Sequence, residues 1–177
     1  LRPYQVEPAR AIVNSVLHGR GLTFAVMMAR QAGKNELSGQ LEAYLLNLKR
    51  RRGGQIVKAS PTFKPQTINS IMRLQDRLDN PWNAGKYRRR DGYIIELRKA
   101  RALFFSADTS ANVVGATADI LLEADEAQDI TTENGSATLP RWPPVPTAPP
   151  FSTAPPGPMT PSWPKPRPTP NASRRPM

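Results

Sequence analysis

Two short segments carry side chains whose types and order could do chemistry: Ala29-Arg30-Gln31-Ala32-Gly33-Lys34-Asn35-Glu36, and Glu123-Ala124-Asp125-Glu126. The first reads as a phosphate-binding loop. Backbone N–H groups at a helix start point outward without helical partners and can cradle phosphate oxygens, while a lysine there supplies a compact positive charge. Gly33 would let the backbone approach the phosphates closely. Against the common G-x-x-x-x-G-K-[ST] pattern, Met28 stands where the first glycine would be and Asn35 replaces the hydroxyl that ligates magnesium; an asparagine carbonyl can still accept a metal or water contact.

The second segment ends an apolar run, Ile120 to Ala124, in two adjacent carboxylates. Phosphoryl transfer from ATP uses one carboxylate to hold the Mg²⁺ shell and another to orient and deprotonate water, roles that suit Asp125 and Glu126 respectively. Taken singly, Gly33-Lys34 fits a plain strand-to-helix turn and Asp125-Glu126 an acidic surface turn, a reading helped by Glu123 interrupting the apolar run. Their joint occurrence favours nucleotide binding, because ligands of open α/β sheets sit outside the carboxyl ends of the strands.

The elements that must position these residues follow from periodicity. Ala9, Ile12, Val13, Val16 and Leu17 predict a helix after Pro8, and Leu22 to Met28 predicts a parallel strand buried on both faces. Leu37, Leu41, Tyr44, Leu45 and Leu48 mark a second helix, closed by the basic run Lys49 to Arg52. A strand at Ile56 to Ala59 leads through Ser60-Pro61-Thr62 into a helix with Ile68, Ile71, Met72, Gln75 and Leu78 on one side. Tyr87 to Arg90, Tyr93 to Leu97 and Ala102 to Phe105 predict short strands, with Asp91-Gly92 as a hairpin turn. Alternating strands and helices imply an α/β domain with a largely parallel sheet flanked by helices.

Arg30-Gln31-Ala32-Gly33-Lys34 resembles the variant Walker A loop of phage terminase large subunits, and Asp125-Glu126-Ala127-Gln128 resembles their Walker B end. Leu1-Arg2-Pro3-Tyr4-Gln5 is similar to the adenine-recognition segment shared by terminases and superfamily-2 helicases, in which the glutamine reads the adenine edge and the aromatic stacks on it. The resemblance implies a P-loop NTPase fold, ATP and Mg²⁺ as cofactors, and Arg30 near the γ-phosphate. It also implies double-stranded DNA, a portal protein and a small terminase subunit as partners, a homo-oligomeric ring, and the cytoplasm of an infected bacterium as the setting. Two rival readings remain open: a superfamily-2 helicase-like translocase, and a non-enzymatic basic nucleic-acid-binding fragment with a degenerate ATP site.

Composition agrees with two unlike parts. All 14 acidic residues lie between Glu7 and Glu133, and 15 of the 20 prolines fall from Asn134 onward. Residues 1–133 therefore read as a partial ATPase domain and 134–177 as a disordered proline-rich tail that cannot bury enough apolar area to fold. Shifting the codons of residues 135–160 back by one base permits a string that resembles ordinary terminase sequence, so an altered reading frame is a second reading of the tail. A domain cut after its acidic strand should bind nucleotide weakly and turn it over little. The net charge of +11 favours a polyanionic partner, and the absence of cysteine excludes disulfides and thiolate metal sites. No apolar run approaches the ~20 residues of a membrane span, and the first residue, Leu1, suggests a start inside a longer frame. His18 reads as a helix-end charge, and the runs Lys49 to Arg52 and Arg88 to Arg90 as solvated surface able to meet phosphates.

Overall fold

Short turns decide the sheet's topology before any packing does. Asp91 and Gly92 take left-handed φ angles of 50° and 78°, and Arg98 one of 57°, so the chain doubles back twice within a few residues. Such turns join only antiparallel neighbours, whereas parallel strands need a long crossover. In the computed structural model, which describes residues 1–107 and 116–130, the strands are β1 (Gly54–Ser60), β2 (Tyr87–Arg90), β3 (Ile94–Leu97), β4 (Ala100–Ser106) and β5 (Leu121–Ala124). They form one sheet in the order β2-β3-β4-β1-β5. β1 runs parallel to both β4 and β5, while β2, β3 and β4 form an antiparallel meander. The sheet is thus mixed rather than largely parallel, because the two tight turns fix half of it. The proline-rich tail lies outside the described residues.

Helices α1 (Pro3–Leu17), α2 (Lys34–Lys49) and α3 (Ile68–Leu78) complete the α/β architecture. One side of the pleat buries Ile56, Ile95, Leu97, Ala100, Ala102 and Phe104 against α2 and α3. The helices answer with Leu45, Leu46, Ile71, Leu74 and Leu78, all fully buried. Each such side chain contributes about 1.5–3 kcal/mol. Met72, expected on the inner side of α3, is 54% exposed; the stripe Ile71, Leu74, Leu78 is rotated from the expected one, and Ser70 takes an inner position. A smaller cluster packs Ala9 and Ile12 of α1 on Leu37 and Leu41 of α2, with Val26, Met28 and Leu121 at its border.

Two elements depart from the sequence reading. α1 starts at Pro3, six residues before the expected start at Ala9, because proline suits the first helical position and Arg2 and Gln5 cap each other. Pro8 is carried inside the helix, where it cannot donate to the Tyr4 carbonyl. The predicted strand Leu22–Met28 takes no place in the sheet. Leu22 and Met27 are 56% and 87% exposed, and only Val26 and Met28 reach an apolar cluster. A strand exists where its backbone groups meet a neighbour, and among the described residues β5, the outermost strand on that side, pairs with β1 alone. No helix among the described residues is long and apolar enough to cross a membrane.

Candidate functional site

The loop before α2 is held from outside by the first turn of α1. Gln5 is 3% exposed; its side-chain amide donates to the carbonyls of Ala32 (3.1 Å) and Gly33 (3.0 Å), and its Oε1 accepts from the Arg2 amide at 2.8 Å. The Tyr4 hydroxyl donates to the same Ala32 carbonyl at 2.9 Å. These bonds turn the loop carbonyls toward α1. The first N–H groups of α2 have no helical acceptor by position and no side-chain cap, so they remain open to an anion.

Gly33 caps α2 in the left-handed region, with φ 81°, and a Cβ built there would lie 2.7 Å from Gln5 Nε2. Both facts demand glycine. Gly33→Ala should destabilise the protein by about 1–3 kcal/mol, read as a lower urea midpoint; an unchanged midpoint would mean that the loop is not clamped this way.

The acidic pair arrives on β5. Parallel pairing with β1 continues one bond past the strand, where the Asp125 amide donates to the Ala59 carbonyl at 2.9 Å. That places Asp125, 8% exposed, at the carboxyl end of the parallel strands. Glu126 then turns into the left-handed region, φ 48°, opening the short 3₁₀ turn Ala127–Asp129. Lys34 Nζ lies 3.1 Å from Asp125 Oδ1 and 2.6 Å from Glu126 Oε1, and Gln128 Nε2 donates to the other Glu126 oxygen at 2.6 Å. Partial burial alone would lower the Lys34 pKa, but its bonds to Glu126 and Asp125 outweigh that and hold it above the ordinary lysine value. Glu126 is held below the usual carboxylate range, by the Lys34 bond first, then by Gln128, with a smaller contribution from the charge of Arg30.

The other residues singled out by the sequence surround this cluster. Asn35 Oδ1 is buried with no hydrogen-bond partner. Arg30 and Gln31 are exposed and Ala32 half-buried. Tyr4, 49% exposed, borders a cavity of about 370 Å³ lined also by Pro8, Val26, Met28, Ala29 and Ala32. That volume falls within the ~300–1,000 Å³ range of small-molecule sites. His18 sits at the end of α1, its Nδ1 2.8 Å from the Asn14 carbonyl. No three His, Asp or Glu side chains among the described residues converge as a metal cage.

Sequence reasoning passed over the residues directly behind the site. Lys58, 3% exposed in the middle of β1, bonds Ser38 Oγ at 2.5 Å and both Glu42 Oε1 and Glu123 Oε1 at 3.0 Å. The Ser38 hydroxyl donates toward Glu123 at 2.5 Å and lies 3.0 Å from Glu42 Oε1. The legible signal was a lysine inside one apolar run and a glutamate inside another. Two carboxylates facing one ammonium in a dry interior do not both stay ionised. Burial first of all pushes Glu42 up to about 7, while Glu123, though burial opposes it, is held below its ordinary value by Lys58 and Ser38.

A pH effect on stability follows. Glu42 has its folded pKa raised from 4.5 to about 7, so the folded state binds the extra proton and stability falls as pH rises between those values. The change amounts to about 3 kcal/mol. Glu123 acts below 4.5 and Lys58 above 10.5, both outside this window. Glu42→Gln, which mimics the protonated acid, should match the parent protein at pH 5 and exceed it at pH 8 in urea midpoint. Parallel profiles would show that Glu42 carries its charge throughout.

No protein-family model, curated protein or solved structure matches this chain.

Proposed function

We propose that residues 1–133 are the ATP-binding part of a P-loop ATPase of the viral DNA-packaging type, a terminase large subunit. The observation that carries this reading is the meeting of Lys34 Nζ with Asp125 and Glu126, at 3.1 and 2.6 Å, beside an uncapped helix start. A triphosphate laid on the α2 N-terminus would take over the Lys34 ammonium from the carboxylates. Lys34 and the loop amides of Gln31 and Gly33 then bind phosphate oxygens, while the Ala32 amide is taken by the Ala29 carbonyl at 3.1 Å; Glu126 accepts the proton of the attacking water, and Arg30 stabilises the transferred charge. Tyr4, at the cavity rim, stacks on the base, while Gln5 holds the loop carbonyls from behind.

Magnesium fits the residues present, since the orphaned Asn35 Oδ1 and the Asp125 carboxylate are hard oxygen donors. Mg²⁺ is commonly held by one or two protein oxygens and the substrate phosphates, and it would neutralise charge on the β- and γ-phosphates. Family likeness in the three motifs extends the proposal to double-stranded DNA, a portal protein, a small terminase subunit, a homo-oligomeric ring and the cytoplasm of an infected bacterium. The exposed arginines Arg88, Arg89 and Arg90 on β2 are one surface able to meet DNA phosphates, which would compete with Glu96 and Asp91 for Arg88 and Arg90.

One observation favours binding without turnover in this chain. The segment Leu22–Met28, which feeds the phosphate loop, has no sheet neighbour among the described residues, so the loop is anchored mainly through α1. Calorimetric titration with Mg-ATP, alongside phosphate release, tests both points. Saturable binding with negligible release supports the proposal; absence of nucleotide binding, with duplex DNA still bound, would favour the non-enzymatic nucleic-acid-binding reading.

A further inference from the structure

The network behind the site joins helix α2 to the paired strands β1 and β5. Lys58 belongs to β1, Ser38 and Glu42 to α2, and Glu123 to β5. Ser38 and Glu42 stand one and two helical turns after Lys34 on the same side of α2. Glu123 precedes Asp125 by two residues, hence on the same side of the pleat. Lys58 is followed by Ala59, whose carbonyl receives the Asp125 amide.

We propose that Lys58, Glu42, Glu123 and Ser38 are the positioning device of the site, holding the start of α2 and the end of β5 at the spacing that lets Lys34 reach Asp125 and Glu126. The proposal rests on the nucleotide-site reading for its purpose and on the register of β5 for its physics. β5 has four residues and one described neighbour, and all four are only partly buried, so apolar packing, mainly through Leu121, holds it weakly in place along β1. A shift of one residue turns Glu123 to the other face. A shift of two either sets Leu121 beside Lys58, leaving the buried ammonium with Glu42 alone, or brings Asp125 to Lys58 and so takes it away from Lys34. Losing one partner of a buried charge costs several kcal/mol. Apolar side chains of the same volume would stabilise the fold equally well but would not select one register. The ion pairs do select it, and Asp125 and Glu126 then come to rest opposite Lys34.

The chain has no cysteine, so two spin labels can be placed without background. Suitable sites are Tyr44→Cys on the exposed side of α2 and Ala127→Cys in the exposed turn after β5. Lys58→Met and Glu123→Gln are then compared with the parent by the label-to-label distance distribution and by Mg-ATP affinity. In the folded variants the distribution should broaden and affinity fall on the order of tenfold, the usual effect of losing an outer partner of a ligand-binding group. If Lys58→Met does not fold, Glu123→Gln, which keeps the Lys58–Glu42 pair, carries the test. An unbroadened distribution with unchanged affinity in a folded variant overturns the proposal. Broadening in a protein whose parent binds no Mg-ATP would leave the positioning role standing and remove the nucleotide reading.

Discussion

Lys34→Ala should weaken Mg-ATP binding by about 2–3 kcal/mol, roughly 30- to 150-fold. The loss is moderate because the Lys34 side chain is 32% exposed and water partly screens its charge. The loss has two parts. The ammonium no longer meets phosphate oxygens, and Asp125 and Glu126 confront the incoming triphosphate with their charges uncompensated. Lys34→Arg keeps the charge but replaces a compact ammonium with a planar fork, so only partial recovery is expected. Duplex DNA binding should persist in Lys34→Ala, because the β2 arginines lie at the sheet edge opposite β5, away from the start of α2. Titration of each variant with Mg-ATP, and separately with duplex DNA, gives the comparison. Equal nucleotide affinity in parent and Lys34→Ala would remove the lysine from the site and with it the ATPase proposal.

The second large effect concerns stability. Lys58→Met should lower the free energy of unfolding by about 3–5 kcal/mol at pH 7, the cost of stranding a buried charge by deleting its partner. Glu123 loses the ammonium that holds its pKa down, and Ser38 loses a donor. Adding Glu42→Gln and Glu123→Gln to Lys58→Met should restore most of the loss, since neutral side chains can satisfy one another by hydrogen bonds. Urea unfolding of the single and triple variants measures both steps. A deficit below about 1 kcal/mol in Lys58→Met would show that water reaches the lysine, because only a solvated ammonium is removed so cheaply.

A good share of this molecule is legible in its residues. The stripe Leu37, Leu41, Leu45 is helical in period, and α2 follows it. Asp91-Gly92 announces a hairpin because few other residue pairs tolerate the backbone such a turn needs, and β2 and β3 flank it. Gly33-Lys34 and Asp125-Glu126 stand out by residue type alone. These are local properties, each decided within a few residues of chain.

What the sequence could not disclose depends on neighbours distant in the chain. Leu22–Met28 has the composition of a buried strand, yet strandhood requires a partner for its backbone groups, and no stretch of seven residues contains that information. Lys58 and Glu123 look like interruptions of apolar runs until parallel pairing brings them 3.0 Å apart. The sequence by itself determined which segments turn, which form helices and which side chains can handle phosphate or a metal, because those depend on near neighbours. Only the tertiary structure decided the strand order, the burial of the Lys58 network and the convergence of Lys34 with Asp125 and with Glu126, 92 residues on, because these arise from long-range pairing in the interior, where a charge is tolerated only beside its opposite.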